Sequence, residues 1–159
     1  MRTITINGFD PVSVRSAISE LQAMQNKVER MGMSVCERLA TLAATRASIE
    51  YARAPYNGVN DVVVMAEPFD NGWRVRASGN AVLFIEYGSG AAYGFGHPNP
   101  IGFGPGTYPG KGHWADPKGW WYGHGLHSYG NPPAAAMYHA EQDVRSLAPS
   151  VATEVINAL

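Results

Sequence analysis

Val82-Leu83-Phe84-Ile85-Glu86-Tyr87-Gly88-Ser89-Gly90 is a short apolar run that stops in an acid, an aromatic and two glycines. Upstream of it the chain has helical or strand-like periodicity. Downstream, glycine, proline, histidine and tryptophan dominate. The run Ala81 to Tyr87 is apolar on both faces and bounded by turn residues, so it is predicted as the last and central strand of a small sheet. Glu86-Tyr87-Gly88 then reads as a structural hinge that hands the chain into a long loop, with positive φ expected at Gly88.

Working back from there, Trp73-Arg74-Val75-Arg76-Ala77-Ser78 alternates apolar and polar residues, as a half-exposed strand does. Asp61 to Glu67 is β-branched and bounded by turn residues. Between them Pro68-Phe69-Asp70-Asn71-Gly72 is a hairpin turn, with Asn-Gly as the natural supplier of positive φ. Three antiparallel strands in a meander, within residues 61–87, are the expectation.

The first third is helical. Asp10 can cap free N–H groups and Pro11 fits the first helical position. From Val12 to Ala54, Ile18, Leu21, Met24, Val28 and Met31 share one face. Leu21, Val28, Val35, Leu42 and Ile49 recur every seven residues, a seam that wants an apolar partner. Its simplest use is packing on the sheet. Gln25, Gly32 and Arg46 beside it count against an intermolecular coiled coil. Glycine costs about 1 kcal/mol in a helix interior, so Gly32 predicts a break and two helices within residues 11–54. Thr3 to Ile6 alternates as a possible edge strand in an N-terminal arm of residues 1–10, and Asn7-Gly8 is a turn signal.

Residues 88–118 have no periodic segment and form a loop insertion. Its glycines are interleaved with Tyr93, Phe95, Phe103, Tyr108 and Trp114. Glycine permits close backbone approach and aromatics supply contact area at low entropic cost, a combination suited to ordering against another surface. Tyr87, Gly88, those five aromatics, Trp120, Trp121 and Tyr122 are the candidate assembly contacts. Residues 119–130 read as a small hairpin about a glycine turn. Asn131-Pro132-Pro133 punctuates, and residues 134–159 are a C-terminal helical segment that Pro149 should interrupt.

Composition bounds the function. The 159 residues suit one domain with a single core. The net charge of −1, from 12 basic and 13 acidic residues, offers no clustered basic surface for nucleic acid. The 18 glycines and 11 prolines concentrate mid-chain, so their excess is local. The single cysteine, Cys36, permits no intramolecular disulfide and fits a reducing compartment. No signal-peptide core and no membrane-spanning run is found, so a soluble protein made in a cytoplasm is expected.

Chemistry is sparsely encoded. His97, His113, His124 and His127, with Glu86 or Asp116, are the possible metal ligands. Zinc sites show paired ligands at short spacing, and only His124 and His127 are close, on opposite sides of a strand. Solvated loop histidines are the plainer account. Glu86 has no evident carboxylate partner for acid–base work, and an acid in that place more often binds loop amides. Cys36 sits in a helical pattern as a small buried or half-buried residue. No nucleophile elbow, phosphate loop or dinucleotide fingerprint is present. Trp120-Trp121-Tyr122 could stack on sugars or bases. With Lys111 and Lys118 as the nearby cations, a protein contact is favoured. No catalytic residue, metal or cofactor is assigned.

The order of pieces carries a resemblance. Helices close on Arg53-Ala54-Pro55-Tyr56-Asn57-Gly58, and strands lead to Phe84-Ile85-Glu86-Tyr87-Gly88-Ser89-Gly90. A variable aromatic insertion ends in Lys118-Gly119-Trp120-Trp121-Tyr122. Gly130-Asn131-Pro132-Pro133-Ala134-Ala135-Ala136-Met137-Tyr138 opens the last helix. Over residues 13–159 the chain resembles the minor tail-component family of long-tailed bacteriophages and prophages, the neck or head–tail joining proteins. The acid–aromatic–Gly and the Pro-rich approach to the last helix are that family's marks. The resemblance implies an α+β, non-enzymatic subunit without cofactor. It implies a homo-oligomeric ring in the virion neck or tail, assembled in the host cytoplasm. Its partners would be connector or head-closure proteins and tail-terminator or tail-tube proteins, with DNA at most passing through the channel and no membrane involved. The longer segment before the first helix and the Gly/aromatic insertion at 91–117 depart from the family pattern. The competing expectation is a metal- or glycan-binding module, or a hydrolase, built on Glu86 and the loop histidines.

Overall fold

A computed structural model describes residues 4, 6–90, 93, 96–99, 116–121 and 125–158. The fold is α+β, a long N-terminal helix and a C-terminal helix packed with a small antiparallel sheet, as expected. Helix α1 spans Pro11–Arg53, strand β1 Val63–Phe69, strand β2 Gly72–Ser78 and helix α2 Val82–Tyr87. Strands β3 (Trp120–Trp121) and β4 (His127–Ser128) pair in the small hairpin, and helix α3 spans Ala136–Asn157.

Asp10 caps α1 as its sequence predicts. Its carboxylate accepts the amides of Val12 (3.0 Å) and Ser13 (3.2 Å), with Pro11 opening the helix. The expected break at Gly32 does not occur, and α1 runs unbroken for 43 residues, about 65 Å. Gly32 costs about 1 kcal/mol. A break there would strand four N–H and four C=O groups at new helix ends, which costs more. The helix ends where Pro55 forces the preceding Ala54 to extended backbone (φ −60°, ψ 132°). Ile4 and Ile6 lie in no strand, and the rest of the N-terminal alternation falls outside the described residues.

β1 and β2 pair in register, Val64 with Ala77 and Ala66 with Val75. The two-residue turn is Asp70-Asn71, and the positive φ falls on Asp70 (51°), not on the Asn-Gly pair. The Val64, Ala66, Val75 and Ala77 face turns inward. Outside, Glu67 pairs with Arg74 (2.6 Å), whose guanidinium lies 4.5 Å above the Phe69 ring.

The third, central strand is a correction. Residues 82–87 are helix α2, and the sheet has two strands. A short apolar run carries no period that separates strand from helix. Here groups from far along the chain satisfy both ends of the turn. Asp61 accepts the amides of Asn80 (2.8 Å) and Ala81 (2.9 Å) at its start. Those bonds hold the Asp61 carboxyl below its ordinary range.

The core joins α1, α2 and α3 through Ala43, Ala47, Tyr51, Ala81, Ile85, Ala136 and Ala140. Small residues on the facing helices let α1 and α3 approach closely. The two run antiparallel, with Arg46 on Asp143 (3.1 Å) and Arg38 on Glu154 (2.8 Å). These pairs flank Pro149, which does not interrupt α3. Both of its halves are held against the same partner, and Val151 and Val155 are buried beyond the proline. The heptad seam is not the core face of α1. Leu21, Val28, Leu42 and Ile49 are exposed, so the seam does not pack on the sheet. Among the described residues no helix is long and apolar enough to cross a membrane.

Candidate functional site

The end of α2 and the approach to α3 form one interlocked node. Helix α3 starts without a cap of its own: Ala135 precedes it in a left-handed conformation (φ 48°) and offers no side-chain acceptor. Glu86 supplies the cap from across the core. Its Oε2 accepts the Met137 amide (3.1 Å) and the Tyr51 hydroxyl (2.9 Å), and its Oε1 accepts the Tyr138 amide (3.4 Å). The carboxylate faces the positive end of the α3 dipole, where negative charge is stabilised.

His97 completes the set. Its Nδ1 accepts the Asn99 amide (3.0 Å), which leaves Nε2–H to donate to Glu86 Oε1 (3.2 Å). Four donors thus occupy the four acceptor positions of one buried carboxylate. Glu86 is 5 % exposed, His97 7 % and Tyr51 2 %. His97 lies between rings, 4.5 Å from Tyr87 and 6.1 Å from Tyr138. Burial, then the Glu86 charge, pushes the Tyr51 hydroxyl well above its ordinary value, so it remains a donor.

The return contact caps α2. Ala134 and Ala135 amides donate to the carbonyls of Ile85 (2.8 Å) and Glu86 (3.1 Å), and Asn131 Nδ2 donates to that of Phe84 (3.0 Å). Ser89 and Asn131 exchange both backbone hydrogen bonds at 3.0 Å, and the Ser89 hydroxyl donates to Asn131 Oδ1. Each helix end is therefore closed by residues of the other segment. The crossing is tight. A Cβ at Gly88 (φ 77°) would lie 2.8 Å from the Asn131 carbonyl oxygen, and one at Gly130 (φ 105°) would collide with that of Ser89.

The sequence-derived candidates fall in different places. Gly88 has the positive φ anticipated for it, and Glu86 binds backbone amides, though those of α3 rather than of the loop. Tyr87 is half-buried against His97, which is itself buried rather than solvated. Trp120 is buried within its own chain, whereas Trp121 and Tyr129 are exposed and flank His127, each 4.6 Å away. Tyr93 is exposed. Phe95, Phe103, Tyr108, Lys111, His113, Trp114, Tyr122 and His124 lie outside the described residues. Asp116 and Lys118 sit in a turn where Asp116 accepts the Lys118 amide (2.9 Å). Cys36 is half-buried. Among the described residues no three His, Cys, Asp or Glu side chains are grouped to hold a metal. Tyr51 and Asn131 were not legible as partners of the node, because Tyr51 meets Glu86 across the β1–β2 hairpin, 35 residues away, and Asn131 meets Phe84 from 47 residues on.

No protein-family model, curated protein or solved structure matches the chain. The chemistry this node performs is mutual capping: a carboxylate whose acceptor positions are filled by the protein fixes the angle between α2 and α3.

Proposed function

We propose that this chain is a structural virion protein of a long-tailed phage, a ring-forming neck or tail-completion subunit that joins the capsid connector to the tail. One observation carries the proposal. The two stretches behind the resemblance, Phe84-Ile85-Glu86-Tyr87-Gly88-Ser89-Gly90 and Gly130-Asn131-Pro132-Pro133-Ala134-Ala135-Ala136-Met137-Tyr138, are one physical site, bonded to each other at both helix ends. A pair of chance matches has no reason to meet in this way.

The surface supports the same proposal. Val63, Met65 and Phe69 are exposed on a two-stranded hairpin, a unit of marginal stability by itself that commonly gains from added partners. Trp121 and Leu126 are exposed on the small hairpin. A ring subunit must bury surface against two neighbours and against the rings above and below.

Particles made without this chain are the test. Capsids and tails that are each complete but unjoined in negative stain support a neck role. A purified monomer carrying stoichiometric zinc would remove it in favour of a metal-dependent module.

A further inference from the structure

A cavity of about 330 Å³ lies where α1, β2 and α3 meet. Cys36 on α1, Trp73 and Val75 on β2, and Met137 and Val144 on α3 help to line it, and no β1 residue does. The cavity is therefore on the β2 side of the sheet. Glu141 is the one charged group in its wall, and Arg145 already pairs with that carboxylate (2.6 Å). An apolar space of this size admits a bulky apolar group.

The sheet edge beside the cavity is open. In a hairpin with a two-residue turn the flanking pair, here Phe69 with Gly72, exchanges hydrogen bonds, and bonded and non-bonded pairs alternate from there. Trp73 and Val75 fall in non-bonded pairs, so their N–H and C=O groups point away from β1. Among the described residues no strand pairs with β2 on that side, and no backbone group from elsewhere bonds to Trp73 or Val75. Such an edge accepts an added strand. Backbone bonds then supply affinity, and pockets for alternate side chains supply specificity.

Alternation and charge define the segment that fits. A residue opposite Val75 points inward, as Val75 does, into the cavity. Its two neighbours point outward beside Arg74 and Arg76, which are both exposed. Arg74 is held by Glu67 (2.6 Å) and lies over the Phe69 ring. Arg76 has no ion pair or hydrogen bond through its side chain among the described residues. Opposite charges on neighbouring strands stabilise a sheet, so the incoming segment carries an acid there. The chain's own alternating stretch, Thr3 to Ile6, has Arg2 beside it and no acid, so a second copy does not meet this demand.

We propose that the β2 edge is a docking site for an extended acidic segment of a different protein. The segment adds as a third strand, buries a bulky apolar side chain in the cavity and sets a carboxylate beside Arg76. The site uses α1, β2 and α3 alone, so it stands without the phage assignment.

Fluorescence anisotropy with a labelled synthetic peptide, a central Glu-Leu-Glu between threonines, tests it. Saturable binding is expected. Lysine in place of both glutamates, or Arg76→Glu in the protein, should weaken binding by about tenfold. Arg76 is exposed, so that variant should keep its far-ultraviolet circular dichroism. N-methylation of the leucine amide removes its bond to Val75 and should abolish binding. Bound peptide should also slow alkylation of Cys36, the chain's only thiol and part of the cavity wall. No saturable binding up to millimolar peptide would overturn the proposal, as would indifference to the lysine exchange, to Arg76→Glu or to N-methylation. Binding that leaves Cys36 fully reactive would place the peptide elsewhere and overturn it too. Dimerisation that by itself protects Cys36 would make a second copy the occupant, with the same result.

Discussion

Glu86 and Tyr51 meet at 2.9 Å in the centre of the protein, and through that bond the long first helix is tied to the start of the last. The same carboxylate caps α3 through Met137 and Tyr138. Removing it strands several buried donors at once. Glu86→Ala should cost about 3–5 kcal/mol, the range for breaking a buried charged network from one side. Glu86→Gln keeps the shape but turns acceptors into donors facing amides, and should cost nearly as much. Denaturant unfolding of the two variants measures this. A loss below about 1 kcal/mol for both would mean that the cap does not hold α3.

Tyr51 makes the node sensitive to alkali. Burial and the neighbouring Glu86 charge raise its folded-state value above the ordinary 10.0. A raised value stabilises the fold fully below pH 10, and that contribution declines as pH rises above it. Stability should therefore fall through the alkaline range, and Tyr51→Phe should flatten that branch. At neutral pH the same substitution should cost about 1–2 kcal/mol for the lost hydroxyl. Thermal melts of both proteins from pH 7 to 11 check the slope. An unchanged alkaline branch in Tyr51→Phe would assign it to another group.

How far the fold can be read from local sequence depends on where the stabilising partner lies. Asp10-Pro11 and the β1–β2 hairpin were legible because cap, turn and pairing are close in the chain. Helix α2 was not. The acceptor for the amides that lead into it is Asp61, 20 residues away from Ala81, and the donor to Phe84 is Asn131, 47 residues on. Gly32 and Pro149 each carry a real local penalty, and tertiary packing or the cost of new helix ends overrides it. For the site, the acid and the glycine were visible as a hinge. Their bonding partners were not, since Met137 lies 51 residues beyond Glu86.

Gly88 and Gly125 separate conformational need from space. Both have positive φ, at 77° and 76°. A Cβ at Gly125 meets nothing within 4 Å, whereas one at Gly88 meets the Asn131 carbonyl and the Pro133 ring nitrogen, each at 2.8 Å. Gly125→Ala should thus cost roughly 1–2 kcal/mol, the left-handed penalty alone. Gly88→Ala should cost on the order of 4 kcal/mol, because the Ser89–Asn131 crossing must open as well. Equal losses in chemical denaturation would show that the crossing yields easily.

Gly32 offers the opposite case, a glycine the structure does not require. It sits inside α1 with ordinary helical backbone, and a Cβ there would meet no atom within 4 Å. Alanine removes unfolded-state freedom and adds nothing that clashes. Gly32→Ala should therefore raise stability by about 1 kcal/mol. For a chain of this size that is a rise of about 2–4 °C in Tm. Thermal melts of the two proteins measure the difference. A variant that melts higher yet fails to assemble would instead mark Gly32 as a point where α1 must bend.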